Sequence, residues 1–146
     1  MKRILNISTL TFLIAIAFTS CVKDLTNTVY SGPDLIEIAP TIAKTITVPT
    51  TAGAVVRDSI LVQLVGPQRT SGTNVIYSID ASSTALASEC TLLTPSPVII
   101  SAGTSSTWIK FAFIKPAAQR TFIVNLTGGD NVTPSVNFKT FTYTLR

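Results

Sequence analysis

Histidine is absent from this chain of 146 residues, and cysteine is scarce. Without histidine, neither a Ser-His-Asp nor a Cys-His catalytic arrangement is available, and no imidazole can ligate a metal. The two cysteines are Cys21 and Cys90. If Cys21 is modified, Cys90 has no partner for an internal disulfide. We expect Cys90 to behave as a small buried side chain.

Charged residues are also few, at 12% of the chain, and the formal net charge is +4. Beyond Lys2-Arg3 the basic residues form no run, whereas a nucleic-acid surface needs clustered lysine and arginine. We therefore expect no nucleic-acid partner. Gly128-Gly129-Asp130 follows a strand pattern but does not open a helix, so it is no phosphate loop. We expect no cofactor.

The first 20 residues have the layout of a secretory signal peptide. Lys2 and Arg3 make a basic start, and residues 10–18 form an apolar stretch. That stretch is shorter than the roughly 20 residues of a transmembrane helix. The small residues Thr19 and Ser20 then precede Cys21.

This boundary resembles the lipobox of bacterial lipoproteins, although Phe18 stands where leucine is usual. The resemblance implies that Cys21 carries a thioether-linked diacylglycerol and acyl chains such as palmitate. Two or three acyl chains hold a protein stably in a membrane, so the membrane is the expected partner of Cys21. The alternative is an ordinary signal peptide with an incidental cysteine.

Residues 21–32 are predicted to be the lipidated tether, which lets the domain clear the lipid head groups. Lys23-Asp24 resembles the residues behind the cysteine in surface-exported lipoproteins of Bacteroidetes-type bacteria. We expect an outer-membrane lipoprotein of the cell envelope. Both the periplasmic and the external face of the membrane are compatible with this expectation.

The remainder, residues 33–146, shows the period-two alternation of half-buried strands. Eight runs are predicted as strands, and proline or glycine residues separate them. They are Leu35–Ile38, Lys44–Val48, Ser59–Val65, Asn74–Asp80, Val98–Ile100, Trp108–Ile114, Thr121–Leu126 and Thr140–Leu145. Phe138 has the wrong parity to share a face with Phe141, which predicts a bulge between them or an earlier start of the last strand.

Many short strands with turn residues between them predict an all-β fold, a single immunoglobulin-like antiparallel β-sandwich of about seven or eight strands. Residues 55–146 also resemble a Calx-beta domain. The similarity lies in Ser83-Thr84-Ala85, Thr91-Leu92-Leu93, the stretch from Val98 to Ser106, and the aromatic strand ending at Ile114. Such domains are common in uncharacterised lipoproteins of Bacteroidetes-type bacteria, encoded among glycan-uptake systems.

The sequence also departs from that pattern, having Ser88-Glu89-Cys90-Thr91 where the family commonly has glycine and Asp-Tyr. Calcium-binding members of the superfamily use clustered carboxylates, whereas the seven acids of this chain are scattered. They are Asp24, Asp34, Glu37, Asp58, Asp80, Glu89 and Asp130. We therefore expect no metal site and no facing carboxylate pair of the kind glycosidases use.

Binding is the function that remains. If Ile109, Phe111 and Phe113 face the core, then Trp108 and Lys110 point outward, and an exposed tryptophan can stack on a sugar ring or contact a protein. We expect a non-catalytic binding or accessory module with Trp108 and Lys110 as ligand-binding residues. Glycan capture is one role, and a structural or adhesin-type contact with other envelope proteins is the alternative. Asp58-Ser59-Ile60 matches a short O-glycosylation triplet of exported Bacteroidetes-type proteins.

Overall fold

The computed structural model describes residues 32–146, so the predicted signal peptide and Cys21 lie outside the described residues. The described chain forms two five-stranded sheets. In sheet A the strand order is β5 (Cys90–Leu92), β7 (Ser106–Ile114), β3 (Val55–Val65), β1 (Leu35–Ala39) and β9 (Thr133–Pro134). In sheet B it is β2 (Ala43–Ile46), β10 (Thr140–Leu145), β8 (Arg120–Gly129), β4 (Thr73–Ile79) and β6 (Val98–Ile100).

The prediction of an all-β immunoglobulin-like sandwich is confirmed, with ten strands in residues 32–146 in place of seven or eight. The two additional strands are β5 and β9, which have only three and two residues. Neither is long enough to show an alternation in sequence. Two edge pairs, β1 with β9 and β2 with β10, are parallel, whereas the other strand pairs are antiparallel. None of residues 32–146 belongs to a helix that could cross a membrane.

The alternation in sequence decides which side chains enter the core. On β3, β7, β8 and β10 every second residue is buried between the sheets, as the pattern predicts. These buried residues are Ile60, Val62, Leu64, Ile109, Phe111, Phe113, Phe122, Val124, Leu126, Phe141, Tyr143 and Leu145. The residues between them in sequence face outward.

An aromatic cluster joins the two sheets at the centre of this core. Phe111 of sheet A contacts two rings of sheet B edge-on, at centroid distances of 5.3 Å to Phe122 and 5.9 Å to Tyr143. Its neighbour Phe113 lies 4.9 Å from Tyr143. Tyr77 completes the group at 6.5 Å from Phe111. Edge-to-face contacts of this kind contribute beyond the apolar area that they bury.

The prediction for Phe138 is wrong in both of its forms. The last strand begins at Thr140, and Phe138 lies in the connection before it, 43% exposed. The Phe138 carbonyl accepts a hydrogen bond from Ile38 N of sheet A, whereas the next carbonyl, of Lys139, accepts one from Leu126 N of sheet B. Because the chain changes sheets between these two residues, Phe138 and Phe141 never share a strand.

The bulge in sheet B lies between β4 and β8, where Ile76 pairs with Gly128 and Tyr77 pairs with Leu126. Close approach of the two strands requires glycine at the end of β8, since a Cβ on Gly129 would collide with the Asn74 carbonyl oxygen. This local constraint gives Gly128-Gly129 a structural role at the end of the sandwich.

We predict that Phe111→Ala lowers the free energy of unfolding by about 3–5 kcal/mol, because it empties the centre of the ring cluster. Trp108→Ala, on the same strand but on the outer face, should cost about 1 kcal/mol or less. Urea unfolding followed by circular dichroism measures both. Equal losses for the two variants would contradict the assignment of the core.

Candidate functional site

Two depressions of the described chain lie one over each sheet. The larger, on sheet B, has a volume of about 740 Å³. Its floor is made by outward side chains of β8 and β10, and its walls by the turn after β4 and the connection before β10. It is lined by Asp80, Ser82, Ile123, Asn125, Leu126, Thr127, Pro134, Val136, Lys139, Thr140 and Thr142. We call it the sheet B groove.

Most polar groups of the sheet B groove are hydrogen-bonded to one another. Asp80 Oδ1 accepts hydrogen bonds from the hydroxyl and backbone amide of Ser82, at 2.6 and 2.8 Å. Asp80 Oδ2 accepts from Asn125 Nδ2 at 2.6 Å, and Asn125 Oδ1 accepts from the Thr140 hydroxyl at 2.7 Å. The Ser82 hydroxyl, the Ser82 amide and Asn125 lower the pKa of Asp80. The carboxylate is therefore ionised and already satisfied.

The smaller depression, about 240 Å³, lies over β3 and β7 of sheet A. It is lined by Arg57, Asp58, Ser59, Leu93 and Lys110, and we call it the sheet A hollow. This volume is below the roughly 300 Å³ at which pockets for drug-sized ligands begin, so the hollow has room for one small group of a larger ligand.

The structure places the two predicted ligand-binding residues on the outer face of sheet A. Trp108 is 49% exposed and pairs across the sheet with Leu61. Lys110, two residues further along the same face, pairs with Ser59 and lines the hollow. Trp108 does not line the hollow itself but borders it along β7.

Arg57 is the residue of this site that the sequence did not predict. It lies on β3 opposite Ala112 and points to the same face as Ser59 and Lys110. The predicted strand starts at Ser59, four residues after the observed start at Val55, and so leaves Arg57 out. Extending the alternation of Ser59 and Leu61 back along the strand would have placed Arg57 on the outer face.

The cations around the hollow lack partners, whereas its acidic residue is paired. Within residues 32–146, neither the Arg57 guanidinium nor the Lys110 ammonium has a hydrogen bond or an ion pair. The one acidic residue of the lining, Asp58, has the inward parity of Ile60, and its carboxylate binds Lys44 Nζ of sheet B at 2.7 Å. The two cations on the outer face, Arg57 and Lys110, are therefore left available.

The charge of Asp58 also affects Tyr143 in the core. Asp58 has the inward parity of Ile60, and its Oδ2 atom is buried without a hydrogen-bond partner, as is the Tyr143 hydroxyl. Burial first, and the Asp58 charge second, raise the pKa of Tyr143. Tyr77 has a raised pKa for the same leading reason, desolvation, and its hydroxyl donates a hydrogen bond to the Thr94 carbonyl.

The described residues contain neither a reactive thiol nor a cluster of metal ligands. Cys90 is buried, as predicted, and desolvation raises the pKa of its thiol to about 12. A thiol this hard to ionise is a poor nucleophile. Each depression is lined by a single carboxylate, Asp80 or Asp58. Between residues 32 and 146 no three acidic or cysteine side chains lie close enough to hold a metal ion.

No protein-family model matches the sequence, and no curated protein is similar to it. Solved structures do share its fold. The crystal structure of the apo-form Calx CBD1 domain superposes with a TM-score of 0.58 at 12% identity, covering 78% of this chain and 96% of that domain. The Calx CBD2 domain gives a TM-score of 0.56 at 10% identity, covering 77% and 85%.

A third similar structure, CBD12 from CALX1.2, has a TM-score of 0.56 at 12% identity and covers 75% of this chain but only 43% of that one. Identities this low establish a shared fold and nothing finer. The domain is a Calx-beta-like, immunoglobulin-like β-sandwich, as the sequence resemblance implied.

We predict that the protein loses stability in alkaline solution. The Cys90 thiol has an ordinary pKa of 9.0 and a folded-state pKa of about 12, so between these values the unfolded chain releases a proton that the folded chain keeps. The free energy of unfolding therefore falls as pH rises through this interval. Tyr77 and Tyr143 act in the same direction.

Urea midpoints at about pH 8 and about pH 10.5 measure this effect. Cys90→Ala should have a smaller alkaline loss than the native chain, since one of the three groups is gone. Equal midpoints at the two pH values would show that these groups ionise as easily in the folded protein as in the unfolded one.

Proposed function

We propose that this chain is a lipid-anchored protein of the bacterial cell envelope and that its sandwich is a non-catalytic module for glycan capture. One observation carries the proposal. The half-exposed indole of Trp108 lies on the outer face of sheet A, beside a hollow whose lining donors Arg57 and Lys110 have no partner in the described chain.

The chemistry of this face suits a sugar. An indole face offers a flat apolar surface to the C–H groups of a pyranose ring, and it loses little conformational entropy on binding. Ser59 and Lys110, opposite each other on β3 and β7, provide a hydroxyl and an ammonium for the ring hydroxyls. The β-strands hold these groups rigidly, which keeps the cost of ordering them on binding low.

The lipid anchor rests on Cys21 and the signal-like residues before it. A sandwich held at the outer membrane by residues 21–32 would present its outer faces to glycans and to other envelope proteins. A glycan-binding accessory module needs no catalytic group, which agrees with the lack of histidine in the chain.

We predict that Trp108→Ala weakens polysaccharide binding by about tenfold or more, the loss typical of a buried aromatic contact at an interface. Trp108→Phe should lose less, because a smaller aromatic face remains. Isothermal titration calorimetry of the full chain in mild detergent measures binding, because Trp108 is the single tryptophan and its variants leave no indole fluorescence to follow. Phe138→Ala removes an aromatic ring of similar exposure elsewhere on the domain and should bind as the native chain does.

We predict that Cys21→Ser releases the full chain from the membrane fraction of a bacterial host into the soluble envelope fraction. Without the thiol no thioether to diacylglycerol can form, and the attached chains are what would hold the protein. Labelling with radioactive palmitate and membrane fractionation measure the change. Unaltered incorporation of palmitate into the variant would contradict lipidation at Cys21.

A second candidate is a protein-interaction module without a sugar ligand, in a structural or adhesin-type role. It is supported by the exposed apolar side chains of Val136, at 84%, and Phe138, at 43%, next to the sheet B groove. Exposed apolar and aromatic groups of this kind favour protein contacts. Failure of the full chain to bind any polysaccharide, with recovery of envelope proteins through Val136 and Phe138, would favour this candidate.

A further inference from the structure

We propose that the ligand of the sheet A hollow is an acidic glycan, whose uronate carboxylates are bound by Arg57 and Lys110 while a sugar ring stacks on Trp108. This inference rests on the proposed glycan capture and adds the class of sugar.

The arrangement of the two cations supports it. Lys110 lies opposite Ser59, and Arg57 lies two residues from Ser59 on the same face. The cations are thus diagonal neighbours across β3 and β7, within reach of one anionic group between them. Like charges placed side by side on a sheet disfavour folding slightly, and no described residue offsets them. Binding of an anion therefore explains the position of these two cations, which the stability of the fold does not.

The Asp58 carboxylate does not oppose an anion in the hollow. Asp58 has the inward parity of Ile60, and on that inner face its Oδ1 atom is held by Lys44 at 2.7 Å. On the outer face, the lining of the hollow presents two cations, Arg57 and Lys110, and no carboxylate. An arriving carboxylate meets a net positive potential.

The guanidinium group also matches the shape of the expected ligand. A planar fork of N–H donors binds a carboxylate through two parallel hydrogen bonds, whereas a lysine acts as a point charge. The Leu93 side chain forms part of the lining and displaces water from that side, which strengthens charge pairing.

The sheet B groove provides the contrast. Its cation, Lys139, shares the groove with the ionised carboxylate of Asp80, so the groove carries no excess charge. Selectivity for an acidic sugar is therefore expected on sheet A alone.

The test compares polygalacturonate and alginate with the same polymers after reduction of their carboxyl groups. Isothermal titration calorimetry of the full chain in mild detergent is the measurement, since it also applies to Trp108→Ala. We expect the acidic polymers to bind about tenfold or more tightly than the reduced ones, with a difference that shrinks as salt is added. Lys110→Gln and Arg57→Gln should each lose about tenfold for the acidic polymers and little for the reduced ones.

Lys139→Gln is the matched control, since it removes the same unit of charge from the opposite sheet. If it lowered binding as much as Lys110→Gln, general attraction to a basic protein would explain the result and the inference would be overturned. Poly-L-glutamate serves as a polyanion without sugar rings. Binding as tight as that of polygalacturonate, and insensitive to Trp108→Ala, would also overturn it.

The remaining outcomes separate this inference from the proposed function. Equal binding of acidic and reduced polymers, lost in Trp108→Ala, would overturn the acidic preference and leave glycan capture supported. Binding of none of the polymers would overturn both.

Discussion

Contact between aromatic rings across the two sheets is the interaction on which the rest of this domain depends. Phe111 and Phe113 of sheet A pack against Phe122 and Tyr143 of sheet B at centroid distances of 4.9–5.9 Å. Each ring fixes the parity of its strand, because a shift of one residue would turn the whole apolar set to solvent. The outward position of Trp108 is therefore a consequence of where Phe111 must lie.

The two outer faces that this packing leaves exposed differ in how far their polar groups are satisfied. On sheet B, Asp80, Asn125 and Thr140 form a hydrogen-bonded chain, so the larger depression is the better satisfied one. On sheet A, Arg57 and Lys110 have no partner in residues 32–146. Polar groups that the fold does not use are the ones available to a ligand, and for this reason the smaller depression is the better candidate site.

Much of the fold could be predicted from alternation alone, because long strands buried on one face repeat every two residues. β7 and β10 were predicted almost to the residue. β5 and β9 could not be found, since three and two residues carry no period. The prediction for Phe138 was wrong for a different reason. The chain passes from sheet A to sheet B after this residue, and the alternation of inward and outward residues does not continue from one sheet to the other.

The candidate site, too, was predictable in part from the sequence. From the order of residues alone it follows that the domain is built of strands, that histidine chemistry is impossible and that Trp108 and Lys110 share a face of one strand. The folded arrangement adds that β3 lies beside β7, which brings Arg57 to Lys110, and that Lys44 reaches across from sheet B to bind Asp58. The physical reason is that alternation is a property of neighbours in the chain, whereas strand pairing joins residues about 50 positions apart and is chosen by the packing of the whole core.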